Sequence, residues 1–323
     1  MTVKSYIKLI RPHQWYKNLL VFIPLLFAST SVWPWDTIPA VFNFANYPPL
    51  MLGFFALSAL SSAGYIINDI QDFEKDAAHP EKKYRPIPAG KVSRNSALIL
   101  AAGLIIGSLT LAYLLNGIFF LLAIFYFINA QIYNYITRKA AIIDVVTIAV
   151  GFIIRAVSGA FLLVPIVPFT SWLIIGVFFF ALILGFGKRK NELQLLGDDA
   201  AEHKPVFKFY NKEILDQGIM MSSTWVVLFY ALYCYEAYGH VMDTQPIMLT
   251  IPIAASLIMR YVYLIQIGSP VGRKPHLAFK DKGIFIGGII FMIVLMVTLF
   301  FWVPFYNFWQ NMFPPLFPFP VVP

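Results

Sequence analysis

The chain has 323 residues, of which 59% are hydrophobic and only 12% charged, with 31 phenylalanines and a mean hydropathy of +0.72. Soluble domains carry about 25% charged residues, so this composition excludes a water-soluble globular fold and predicts an all-α membrane protein. The net charge of +8 is read as membrane orientation and phosphate partners rather than nucleic acid, and the single cysteine, Cys234, excludes an intrachain disulfide.

A helix needs about 20 mostly apolar residues to cross the hydrocarbon core. Such runs fall near 17–33, 48–67, 95–115, 117–136, 141–163, 168–186, 219–237, 246–266 and 284–303, which predicts a nine-helix transmembrane bundle. The basic stretch ahead of the first run, MTVKSYIKLIRPHQWYKN, carries no persuasive cleavage site and is read as retained. If the spans alternate, every loop Lys and Arg falls on one side, from Lys4 to Lys17, Lys75 to Arg94, Arg138 and Lys139, Lys188 to Lys212, and Arg273 to Lys282. The opposite segments, 34–47, 164–167, 238–245 and 304–323, contain neither residue. By the positive-inside rule the N-terminus and the basic loops are cytoplasmic. Asn116-Gly117 marks a tight turn between the third and fourth spans. No interval is long enough for a separate soluble domain, so residues 1–323 are read as one polytopic domain with active-site loops at 67–94 and 187–218. The proline-rich tail at 314–323 is assigned to the outer interface.

The second span ends in NDIQDFEKD. Asp69, Asp72 and Asp76 stand at i, i+3 and i+7, with Asn68 four residues before Asp72, so a continuing helix projects all four toward one face. Clustered carboxylates repel, and hard oxygen ligands of this kind suit Mg²⁺ with substrate phosphates; the plainer reading is a solvated helix end. The sign then inverts in HPEKKYRPIPAG, where His79, Lys82, Lys83 and Arg85 lie in a loop stiffened by Pro80, Pro86 and Pro88. Adjacent acidic and basic sets suit a Mg²⁺-diphosphate, although membrane orientation alone also accounts for the bases. A second basic set, GFGKRKNEL at 185–193, closes the sixth span. Lys188, Arg189 and Glu192 share a helix face there, and the cations either snorkel as anchors or bind an anion.

At the N-terminus, RPHQWYKN places Gln14, Lys17 and Asn18 where a lipid phosphate sits at headgroup depth, beside the interfacial aromatics Trp15 and Tyr16. Arg155, about 20 Å along the fifth span at ~1.5 Å per residue, needs a partner or a wet cavity. Glu236 or the acidic motif is the expected partner, while Arg260 is read as an anchor. The sequence has no Walker P-loop, zinc-type spacing or nucleophile elbow.

These motifs resemble the UbiA superfamily of intramembrane prenyltransferases. NDIQDFEKD matches its NDxxDxxxD motif, and nine helices is its number. With RPHQWYKN, IIRAVSGA and GKRKNEL, the chain is more narrowly similar to members that transfer phosphoribose rather than a prenyl group. Prenyltransferases of this fold usually carry a second, DxxxD motif after the sixth helix; here GKRKNEL has one acid, Glu192. The resemblance implies a Mg²⁺-dependent transferase that moves 5-phosphoribose from phosphoribosyl diphosphate (PRPP) to a polyprenyl phosphate. It implies that Asn68, Asp69, Asp72 and Asp76 hold Mg²⁺ and that Lys82, Lys83, Arg85, Lys188, Arg189 and Glu192 bind PRPP. Gln14, Lys17, Asn18 and Arg155 go to the lipid phosphate. The implied setting is a bacterial inner membrane with the active site facing the cytoplasm, and a homo-oligomer is compatible with it. Two rivals stay open: an aromatic or haem prenyltransferase of the same fold, and a non-enzymatic lipid-phosphate carrier.

Overall fold

In the computed structural model, residues 3–27, 40–78, 82–164, 166, 170–197, 200–238, 246–302, 308–309 and 311–312 are described. His79 and the tail at 314–323 lie outside them. The described residues are helical and contain no strand. Eight of their helical segments are long and apolar enough to cross a membrane. The segment expected as the first span is described as far as Phe27, and residues 28–33 of it lie outside the described set.

Among the described residues twelve α-helices follow in chain order: α1 Val3–Ile10, α2 Ile23–Phe27, α3 Tyr47–Gln71, α4 Phe73–Ala78, α5 Arg94–Leu115, α6 Gly117–Tyr135, α7 Ile143–Ala160, α8 Ser171–Leu196, α9 Ala200–His203, α10 Lys212–Tyr238, α11 Thr250–Gln266 and α12 Lys282–Met296. Their starts are written locally. Ser93 accepts from the Ser96 amide at 3.1 Å to open α5, and Asp281 accepts from the Ile284 amide at 3.0 Å to open α12. Asn116 ends α5 in an extended conformation and caps α6 through the amides of Ile118 and Phe119 at 2.8 and 3.1 Å. The tight turn expected at Asn116-Gly117 is therefore a shared cap.

Neighbours in sequence pack as neighbours in space, α5 on α3, α6 on α5 and α7, α8 on α7 and α10, and α11 on α10 and α12. Ile23 and Phe27 pack against the cluster that holds Leu295, Leu299 and Phe300, so the last helix returns to the N-terminal segment. Asn43 and Asn46 both hydrogen-bond Val164, joining the connections at one end of the bundle. The charged motifs gather at the other end.

Two expected boundaries shift. The sixth span does not stop at residue 186: α8 runs on to Leu196, so GKRKNEL has the helical spacing expected of it, and the loop expected from 187 begins only after this helix. Lys, Arg, Glu, Leu and Gln are strong helix formers, and Gly197, at φ 55°, supplies the stop. The second span runs to Gln71 and, after a break at Asp72, continues as α4.

Between Arg11 and α2 the chain forms a 3₁₀-helix over Pro12–Phe22, unusually long for that geometry. Its three-residue period explains the alternation in RPHQWYKN. Trp15, Asn18 and Val21 share the face that meets α3 and α7, leaving Gln14 and Lys17 on another. A Cβ at Gly159 in α7 would collide with the Val21 carbonyl, a backbone contact that cannot swing away. Gly159→Ala is expected to lower the thermal midpoint in detergent, by a destabilisation of about 1–3 kcal/mol. An unchanged melting curve would contradict this packing.

Candidate active site

The acids of the first motif do not converge as a free set. Asp69 is buried where α3 ends, and its Oδ1 accepts from Arg11 Nη2 at 2.5 Å and Arg85 Nη1 at 2.9 Å. The same Arg85 nitrogen donates to Asp76 Oδ2 at 2.5 Å, and Lys82 Nζ stands 3.4 Å from Asp76 Oδ1. Asp72, at the helix break, turns instead to Arg138 Nη1 at 2.8 Å, from the connection between α6 and α7. Lys83 is exposed and lies over the neighbouring Tyr84 ring.

No group of three His, Cys, Asp or Glu among the described residues is close enough to hold a metal ion. The donor chemistry still fits Mg²⁺. Asp69 and Asp76 flank one guanidinium nitrogen, so a cation already occupies the position between two carboxylates. The Asn68 amide lies one residue from Asp69 and one turn from Asp72, and hard oxygens of this type suit Mg²⁺.

Among the described residues Arg155 has no carboxylate partner. Its Nε donates to Asn18 Oδ1 at 2.8 Å, Nη2 to Tyr126 Oη at 2.6 Å and Nη1 to the Gly151 carbonyl at 3.2 Å. The guanidinium also lies 4.5 Å from the Tyr126 ring centroid. The expectation of Glu236 or the acidic motif is thereby corrected: Glu236 is exposed near the C-terminal end of α10, and neutral oxygens with an aromatic face satisfy the buried charge. Asn18 is itself buried, donating to Ser58 and Ser61, so it holds Arg155 more directly than it meets solvent. Arg260 pairs with Asp281 at the surface.

The second motif divides in two. Arg189, 2% exposed, donates through Nε to Asp144 Oδ2 at 2.7 Å, through Nη1 to Glu192 at 3.1 Å and through Nη2 to Tyr133 at 3.0 Å. Three protein partners make it a hub of the scaffold. Lys188, one residue earlier, is exposed, and among the described residues neither it nor Lys17 makes an ion pair. The charges of Lys188, Arg155 and Arg11 all act on Lys17, which couples the N-terminal segment electrostatically to the end of α8. Gln14 is half-buried one 3₁₀ turn before Lys17. Lys204, from the segment after α9, reaches Glu192 at 2.5 Å. Burial of its ammonium lowers it to about 8; Glu192 opposes the shift, while Arg189 and Lys188 reinforce it.

Sequence reasoning left Arg11 without a role, placed Arg138 only among the loop cations, set Asp144 aside as too far from Arg155, and did not single out Tyr126, Tyr133, Lys204 or Tyr210. Asp144 carried a signal, a carboxylate at the head of an apolar span. The tyrosines carried none, because a phenol on an apolar helix reads as interface or core until its partner is known.

A family model, UbiA prenyltransferase family, matches residues 19–279. The chain belongs to the UbiA prenyltransferase family. Among its relatives, decaprenyl-phosphate phosphoribosyltransferase of Mycolicibacterium smegmatis is 29% identical over 288 residues, 87% of each chain. The protein of the same name from Corynebacterium glutamicum is 29% identical over 301 residues, covering 91% of this chain and 86% of that one. A UbiA homolog from Archaeoglobus fulgidus, solved bound to DMAPP and Mg²⁺, superposes with a TM-score of 0.66 at 18% identity, covering 91% of this chain and 99% of that one. That likeness establishes the fold.

Proposed function

We propose that this transferase moves 5-phosphoribose from PRPP to a polyprenyl phosphate of decaprenyl type and releases diphosphate. The observation that carries the reading is the cationic end of α8. Lys188 is exposed there and its charge acts on the half-buried Lys17, where the family resemblance leads one to expect a second acid motif. An exposed ammonium group suits the extra 5-phosphate of PRPP, and the relatives named phosphoribosyltransferases support the same donor.

On this reading Asn68, Asp69, Asp72 and Asp76 hold Mg²⁺, which when bound neutralises charge on the diphosphate. Lys82, Lys83 and Arg85 meet diphosphate oxygens. Lys188 meets the 5-phosphate, with Arg189 and Glu192 setting its helix turn. Gln14 and Lys17 receive the lipid phosphate, which Asn18 and Arg155 support from beneath. A lipid-phosphate oxygen attacks C1 of the ribose as the C1–O bond to diphosphate breaks, the carboxylates stabilise the positive charge developing on the sugar, and C1 inverts. The acceptor is already an anion, so no general base is required. The segment from Pro12 through α2 contributes the ninth span of one polytopic domain, with the N-terminus and the active site on the cytoplasmic side of a bacterial inner membrane.

The rival within the family is an aromatic or haem prenyltransferase, favoured by the acids of the first motif alone. Purified protein with Mg²⁺, labelled PRPP and a panel of polyprenyl phosphates separates the two. Label is expected to enter the lipid phase. Aqueous label together with consumption of a prenyl diphosphate would overturn the proposal.

A further inference from the structure

The connection between α6 and α7 holds a conformation that its sequence does not favour. Ile142 sits at φ 68° and ψ −51°, and the Ile143 amide bonds the Ala141 carbonyl at 2.8 Å. That is a γ-turn of the strained hand, centred on a β-branched residue for which positive φ is an outlier. Such a turn persists only where its surroundings over-determine it. Here the Ile142 amide donates to Tyr210 Oη at 2.7 Å, and the same hydroxyl donates to Asp144 Oδ1 at 2.6 Å. Tyr210 is buried, and burial together with the Asp144 carboxylate raises its pKa, so it remains a phenol able to donate.

The two ends of this short connection reach different sites. Arg138 at one end pairs with Asp72 of the first motif, and Asp144 at the other pairs with Arg189 of the second. The geometry points to Tyr210 as a positioning residue: by pinning the strained turn at Ile142, it holds Arg138 at the acidic motif and Asp144 at the basic one, so that diphosphate binding at the first site depends on a tyrosine that belongs to neither. The inference rests on the proposed role of the α3–α4 acids as the diphosphate site.

The test measures binding of inorganic diphosphate with Mg²⁺ to the full-length protein in detergent by calorimetry, well below the melting temperature. Tyr210→Phe removes both hydrogen bonds and is expected to weaken binding by about five- to tenfold, the order of one net hydrogen bond. Adding Ile142→Gly should restore it, because glycine adopts the turn without steric cost. Folded Tyr210→Phe with undiminished affinity, or a loss that Ile142→Gly does not repair, overturns the proposal. If Tyr210→Phe alone does not fold, the double variant decides: the proposal requires it to fold and bind. Asp72→Asn serves as the control for the underlying site. Diphosphate bound equally well by that variant refutes the site itself, whereas its loss there beside normal binding in Tyr210→Phe refutes only the role of Tyr210.

Discussion

Asp72→Asn is expected to lower turnover by at least about 10²–10³-fold, the scale seen when one preorganised electrostatic contact to a transition state is removed, while the protein still purifies folded. The three acids are not equivalent for such a test. Asp69 and Asp76 are each about 1% exposed and share Arg85; removing Asp69 also takes the carboxylate that Arg11 meets, and removing Asp76 the one that Lys82 faces. That damages the fold as well as the site. The Asp72 side chain is 17% exposed and meets one arginine, itself 26% exposed. Its loss is therefore the cleanest probe of chemistry. Turnover retained at the wild-type level in folded Asp72→Asn, assayed with Mg²⁺, would refute the metal assignment. A lipid-phosphate carrier that needs no metal would also retain its activity in this variant.

The second large effect falls on stability. Asp144 is fully buried and accepts from both Arg189 and Tyr210. Asp144→Ala takes from the buried guanidinium its closest carboxylate, leaving Glu192 as the other, and breaking such a pair from one side costs about 3–5 kcal/mol. The thermal midpoint in detergent should fall accordingly. Exchanging both partners, Asp144→Leu with Arg189→Met, removes both buried charges and should recover most of the loss, since a well-packed apolar pair often equals a buried ion pair. If the two single losses simply add in the double variant, the residues are not coupled and the hub assigned to Arg189 is wrong.

Much of this molecule is legible along the chain. Apolar runs about 20 residues long leave few alternatives to membrane helices, and eight of the nine expected runs correspond to long apolar helices among the described residues. Cap residues such as Ser93, Asn116 and Asp281 signal their helix starts because the hydrogen bond closes within three residues. The acidic and basic motifs are visible for the same reason: helical spacing relates neighbours a turn apart.

Pairings across the bundle are not visible in that way. Arg155 was expected to seek a carboxylate, and it found Asn18 and Tyr126, 137 and 29 residues away in sequence. Lys188 and Arg189 were indistinguishable as neighbouring cations, yet α8 turns one toward Asp144 and leaves the other open. The 100° between successive helical residues sends adjacent side chains to different neighbours, and only the packing of α7 against α8 determines which of them meets an acid.

Composition, helical spacing and the distribution of lysine and arginine therefore settle a membrane bundle with charged motifs at one end, because each depends on local or summed properties of the chain. Which arginines hold the NDIQDFEKD acids, and which cation of GKRKNEL stays free, belong to the tertiary structure. Arg11, Arg85 and Arg138 come from three separate segments to meet α3 and α4. A short-range electrostatic contact of that kind exists only after the helices have packed.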